Sequence, residues 1–226
     1  MTSSRAAFTA ILAKDLRIEL RTLRSVPAMA LFAITTFVLF RFALDRTTLE
    51  GDLAAGVLVS TLLFAAILAI NRLFVAERDE GGFELMRLAP IDRAAIFAAK
   101  AAALVVYLLA LELVAVPAFA LFFLDSAAGL PVLVGVLILA DLGLAATGVL
   151  VSSIAGNSSA RDLLGPLIML PLLVPLVIAA AGAGEHLLAQ GGPDYDRLGT
   201  WLGMLCLYDL VFGLIGYAVY DFLLDD

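Results

Sequence analysis

Six long apolar runs, Val26 to Leu44, Leu53 to Leu73, Ala94 to Leu124, Pro131 to Ala155, Leu163 to Ala183 and Gly199 to Leu224, leave this chain few folds to choose from. A helix needs about 20 apolar residues to cross a hydrocarbon core. Of the 226 residues 63% are hydrophobic and 15% charged, with a mean hydropathy of +1.06. A soluble domain is roughly half apolar and a quarter charged, so the surplus calls for lipid as a solvent. Inside lipid each backbone polar group must be satisfied within its own segment, and runs this continuous lack the alternation of barrel strands. The sequence therefore specifies an all-α polytopic membrane protein: six transmembrane helices over residues 26–226, preceded by a distinct segment at residues 1–25.

In that first segment Phe8, Ile11, Leu12, Leu16, Leu20 and Leu23 recur at three- and four-residue spacing, with Lys14, Arg17, Arg21 and Arg24 mostly on the opposite side. The pattern predicts a basic amphipathic helix in the cytoplasmic interface, either a plain anchor or a transmitter of motion. With Arg5 these charges resemble the flank of a signal peptide. No small-x-small cleavage site follows, only RFALDRTTLEG, so the first span is expected to be retained. Eleven of the 14 lysines and arginines fall in the N-terminal segment, between spans two and three (Arg72, Arg78, Arg87, Arg93, Lys100) and at Arg161, against Arg41, Arg46 and Arg197 on the other side. The positive-inside rule then places both termini in the cytoplasm.

The net charge of −7 argues against a nucleic-acid partner, which requires a basic face; membrane lipid is the expected surrounding. Cys206 stands alone in the last apolar run and forms no disulfide framework or CxxC pair, which predicts a small buried packing residue. Gly143, Gly148, Gly213 and Gly216 are expected to let helices approach closely.

Residues 74–92, between the second and third spans, are the densest cluster of charges. The second span is expected to run out as a helix through Glu77, Arg78, Asp79 and Glu80, after which Gly81 and Gly82 permit a turn. A short element from Phe83 to Ala89 follows, stopped by Pro90, and Asp92 is placed to cap the third span. Phe83, Leu85, Met86 and Leu88 make this element apolar, while Glu84 and Arg87 supply orienting charges. An apolar knob with two charges suits a groove on another protein; the alternative is a helical turn resting on its own bundle. The only lysines, Lys14 and Lys100, complete no GxxxxGK[ST] phosphate loop, so any ATP must be hydrolysed by another chain and this one is not an enzyme.

The arrangement Glu77, Arg78, Gly81 or Gly82, Glu84, Pro90 resembles the coupling helix between spans two and three of ABC-2-type transporter permeases. Three blocks, FTAILAKDLRIELRT at 8–22, residues 71–100, and LLGPLIMLPLLVPLVIAAA at 163–181, narrow the resemblance to the CcmB family, the haem-exporter permeases of cytochrome c maturation. The likeness implies a bacterial or archaeal inner-membrane permease paired with a second copy of itself and with two copies of an ATPase subunit, cooperating with a haem-handling membrane subunit. It implies that Glu77, Arg78, Gly81, Gly82, Phe83, Glu84, Leu85, Arg87, Leu88 and Pro90 contact the ATPase. Haem enters as a possible cargo rather than a resident cofactor, and whether it or a haem-loaded chaperone is handled stays open.

Inside the bundle, Pro166, Pro171 and Pro175 each remove a backbone donor from the fifth span, which predicts a kink or local unwinding and a conformational hinge. Glu112, Asp141 and Asp209 lie well inside apolar runs and are expected to face the interior. They suggest a competing mechanism, a proton-coupled secondary carrier, although no lysine or arginine lies at comparable depth and no inverted repeat is evident. A non-transporting scaffold and an ABC-2-type permease for another substrate are further alternatives. His186, the single histidine, falls in an outer stretch with HLLA expected as a short interfacial helix; without a partner it is a surface histidine before it is a haem ligand, and no metal site is evident.

Overall fold

Seven helices make up most of the described chain: α1 (Ser4–Thr22), α2 (Val26–Ala43), α3 (Gly51–Asp79), α4 (Arg93–Phe123), α5 (Leu130–Ala155), α6 (Arg161–Leu187) and α7 (Leu198–Leu223). The computed structural model describes residues 4–23, 25–79, 92–155 and 161–223, and their side chains except at 73–79, 155, 161–164, 166 and 220–223. Helices α2 to α7 are each long and apolar enough to cross a membrane, so the protein is an all-α, multi-pass membrane protein. Their bounds follow the apolar runs with two informative extensions. α3 continues past its run through Glu77 and Arg78 to Asp79, as its charge pattern predicts. α6 continues through His186 to Leu187, so HLLA closes a spanning helix instead of forming a separate interfacial one.

Burial separates centre from periphery. In α3 and α5, 61% of the spanning window is enclosed, against 17% in α2 and α7. The enclosed stripe of α3, Ala54, Leu58, Thr61, Ala65 and Ala69, recurs every three to four residues and consists mostly of small side chains. With lipid tails as apolar as leucine, helices in a membrane associate through close packing, which small faces permit. Thr61 adds no orphan polar group, because its hydroxyl donates to the Val57 carbonyl at 2.7 Å.

Glycine marks the other close contacts. A Cβ at Gly143 would meet the Tyr208 ring at 2.8 Å and Leu176 at 2.9 Å, one at Gly148 would run into Ile70, and one at Gly216 into the Phe97 ring. Gly213 has open space around it, so the expectation of a close contact there is corrected. Cys206 is likewise corrected: it is exposed on α7 although its neighbour Leu205 is fully buried. A peripheral helix encloses only one stripe, and residue 206 lies outside it. Leu31, Phe42, Leu113, Leu121 and Leu214 also point outward, which is the surface lipid covers.

At the end of the bundle away from α1, Phe37, Phe119 and Phe123 pack with ring centroids 5.4 to 6.3 Å apart. Arg41 donates to the carbonyls of Thr47 and Phe122. The Leu49 N–H donates to Phe123 O (2.9 Å) and the Gly51 N–H to Leu188 O (2.7 Å), so the connection between α2 and α3 is sewn to the ends of α4 and α6.

The tightest backbone approach is at Gly129, just before α5. A Cβ there would collide with the Leu187 carbonyl, a main-chain group that cannot rotate away. Gly129→Ala is expected to destabilise by about 1–3 kcal/mol through overpacking. Gly135→Ala, at an open helical position, is expected to be stabilising by up to about 1 kcal/mol through helix propensity. Thermal unfolding of the solubilised variants checks the contrast; equal midpoints would show that the α5 and α6 ends are free to separate.

Candidate functional site

The helix that follows residues 80–91, α4, shares an elaborate polar construction with α1. Asp92 caps α4, its Oδ1 accepting from the Ala94 N–H (3.1 Å) as expected, while its Oδ2 accepts from the Ser4 hydroxyl (2.9 Å). About two turns further on, Lys100 donates from Nζ to Asp15 Oδ2 at 2.8 Å, with side chains only 2% and 3% exposed. Lys14 reaches the other Asp15 oxygen at 3.2 Å. Tyr107, two turns beyond Lys100, donates from its hydroxyl to the Asp15 carbonyl at 3.0 Å. These contacts follow the same order along both helices, so α1 runs beside the first half of α4.

The buried face of α1 is therefore Ala7, Ile11, Asp15 and Glu19, spaced by one helical turn each. Two acids thus stand in the enclosed stripe beside residues of the expected apolar face. Phe8, Leu12 and Leu16 flank the buried face, whereas Leu20 and Leu23 are 76% and 61% exposed. Two acids occupy enclosed positions because each meets a specific donor. Glu19 Oε1 accepts from the N–H groups of Ser25 (2.8 Å) and Val26 (2.9 Å), two of the donors that a helix start leaves unsatisfied, and so it caps α2 from the preceding helix. Sequence periodicity misses both acids, because a charged side chain at an enclosed position looks like an exposed one until its partner is known. The one available signal was the i, i+4 spacing of Asp15 and Glu19 with Ala7 and Ile11.

Inside the bundle, α4 and α5 bring Glu112 and Asp141 against each other on a cavity of about 30 Å³ between α3, α4, α5 and α6. Beyond the opposite carboxyl group, neither oxygen of Glu112 has a hydrogen-bond partner, nor does Asp141 Oδ2. Asp209 does not join them. It stands on α7 against Gly143, on another face of α5, so the three acids form a pair and an outlier instead of one path. Beside Asp209, Tyr208 accepts from or donates to the Thr147 hydroxyl at 2.8 Å and reaches the Leu172 carbonyl at 3.2 Å, tying α5, α6 and α7 together.

The proline-bearing span holds its helix. α6 is helical from Arg161 to Leu187, through Pro166, Pro171 and Pro175, so the expected local unwinding is absent. Pro171 and Pro175 face outward, which leaves their carbonyl-freeing effect on the lipid side. The Pro166 side chain is outside the described set. His186 lies in the last turn of α6, with Nδ1 4.0 Å from Asp194 Oδ2 and its carbonyl accepting from the Asp194 N–H (2.9 Å). Of the residues expected to contact an ATPase, Glu77 and Arg78 belong to the helical extension of α3; Gly81, Gly82, Phe83, Glu84, Leu85, Arg87, Leu88 and Pro90 lie outside the described residues.

Comparison with known proteins covers nearly the whole of this architecture. The family model described as "CcmB protein" matches residues 6–219. The "Heme exporter protein B" of Bradyrhizobium diazoefficiens is 29% identical over 225 residues, 93% of either chain. Its namesake in Pseudomonas aeruginosa is 30% identical over 200 residues, 88% of either chain. That of Rhodobacter capsulatus is 29% identical over 174 residues, 76% of this chain and 79% of the relative. No solved structure matches the chain. A match that begins within α1 and ends within α7 takes in all six spanning helices, and by it this chain is a member of the CcmB family.

Proposed function

We propose that the protein is the membrane permease subunit of an ABC-type exporter that handles haem for cytochrome c maturation. It works in the cytoplasmic membrane of a bacterium or archaeon with both termini inside, as a pair with two copies of a separate ATPase subunit and with a haem-handling membrane partner. The observation that carries this reading is the full-length family match to proteins named for haem export. The geometry is compatible with it. α3 leaves the apolar zone as a charged helix, α4 restarts at a capped N-terminus, and residues 80–91 connect them on the side carrying most of the lysines and arginines. Force applied to that connection reaches α4 directly, and through Lys100 and Asp15 it reaches α1.

The test is to change Phe83, Glu84 and Arg87 together to alanine and compare two readouts in a strain lacking its own copy. ATP turnover by the co-purified complex and haem staining of mature c-type cytochromes are both expected to fall while the amount of membrane-inserted protein holds. Cytochromes that mature normally without any copy of the protein would point to an ABC-2-type permease for another substrate. A complex whose ATP turnover ignores the triple substitution would instead leave a scaffold or a proton-coupled carrier.

A further inference from the structure

Glu112 and Asp141 are the charged groups that the coupling role leaves without employment. Their side chains are 94% and 93% enclosed, given exposures of 6% and 7%. They meet across the α4–α5 contact, where each has only the other carboxyl group for a hydrogen-bond partner at Glu112 Oε1 and Oε2 and Asp141 Oδ2. Every other residue around the cavity, from α3, α4, α5 and α6, is aliphatic, so among the described residues no lysine, arginine or histidine reaches the pair. Two other titratable groups on the packed helices are placed elsewhere: Asp209 of α7 rests on Gly143, and Lys100 is bound to Asp15 of α1. From α2 no described ionisable side chain lines the cavity.

Two carboxylates in contact within an otherwise aliphatic lining repel one another, and no described side chain offsets their desolvation. A small positive species removes both costs. The size of the cavity limits what that species is. At about 30 Å³ it holds about two waters, since roughly 10–15 Å³ of such volume suffices for one. A porphyrin does not fit. Calcium and magnesium take six or more oxygen ligands, and the lining offers no side-chain oxygen beyond the four of the two carboxyl groups. What remains is a monovalent cation that binds carboxyl oxygens and carries little hydration.

We propose that Glu112 and Asp141 form an exchangeable site for one monovalent cation, a proton or a sodium ion, at the α4–α5 contact within the transmembrane bundle. Occupation holds the two helices together, and its loss drives the carboxylates apart, so the site favours the closed α4–α5 arrangement. This reading does not depend on which cargo the protein handles or on its ATPase partner.

The experiment uses the purified full-length protein in lipid nanodiscs. Thermal midpoints are measured from acid to alkaline pH in sodium chloride and in N-methylglucamine chloride, for wild type, Glu112→Gln and Asp141→Asn. Infrared difference spectra in the carboxylic-acid stretching region accompany them. If the occupant is a proton, the wild-type midpoint falls as pH rises irrespective of the salt, a protonated-carboxyl band disappears with it, and both amide variants lose the band and the pH-dependent fall. If it is sodium, the wild-type midpoint rises with sodium chloride but not with N-methylglucamine, and the variants lose that difference. Curves for wild type and the variants that superimpose in both salts at every pH overturn the proposal. Should either variant fail to insert, a wild type with neither a titrating carboxyl band nor a sodium-specific shift overturns it equally.

Discussion

Asp15→Ala is expected to destabilise the folded protein by about 3 kcal/mol, because it removes the carboxylate that the enclosed Lys100 ammonium meets at 2.8 Å. The loss exceeds that of an ordinary surface pair, which is worth about 0–1 kcal/mol, since both side chains are almost fully enclosed. Lys14 cannot substitute for the missing acid, being itself a cation. The Tyr107 bond survives the change, because it is made to the Asp15 main-chain carbonyl. Removing both charges in Asp15→Ala with Lys100→Met is expected to restore part of the stability, because an enclosed ammonium that has lost its nearest carboxylate costs more than an apolar side chain in its place. A double-mutant cycle on unfolding in mixed micelles measures this. A double variant no more stable than Asp15→Ala would show that the pair matters only through packing. The pair then acts less as a source of stability than as a latch that fixes the height of α1 against α4.

Glu84→Lys is expected to abolish coupling while leaving insertion unaffected. Under the proposed docking role, Glu84 is one of two charges orienting an otherwise apolar element, and reversing it sets like charges against each other across the contact. Such juxtaposition costs several kcal/mol, and each 1.4 kcal/mol is about tenfold in affinity, so the ATPase should bind at least about 100-fold more weakly. Glu84→Gln removes the charge but keeps the shape and is expected to be milder. Co-purification of the ATPase and haem staining of c-type cytochromes provide the readouts. If both hold with lysine in place, docking does not run through this position.

Much of the fold is legible in the residue string, for a physical reason: a hydrocarbon solvent penalises any spanning segment that is not long, apolar and internally hydrogen-bonded. The six runs therefore announce six helices to within a few residues. The Asp92 cap and the helical exit of α3 through Asp79 are local features and are equally legible. The polar contacts are less so. Asp15 reads as one more charge on a basic helix until Lys100, 85 residues away, is set against it. Glu19 looks like solvated surface until the start of α2 folds back onto it. Prolines at 171 and 175 suggest a break, yet the helix around them is held by packing on its other face, where Leu173 and Leu176 are enclosed.

The sequence by itself determined that the chain crosses a membrane six times, which residues begin and end most helices, and which family it belongs to, because solvent and chain-local hydrogen bonding act on neighbours along the chain. Only the tertiary structure decided which charges meet. Glu112 and Asp141 share a cavity and Asp209 does not; Cys206 faces out while Gly216 is pressed against Phe97. Those outcomes depend on the rotation of each helix about its own axis, which close packing between small faces sets. An apolar run long enough to span lipid carries little record of it, because every side of such a helix is acceptable to the solvent.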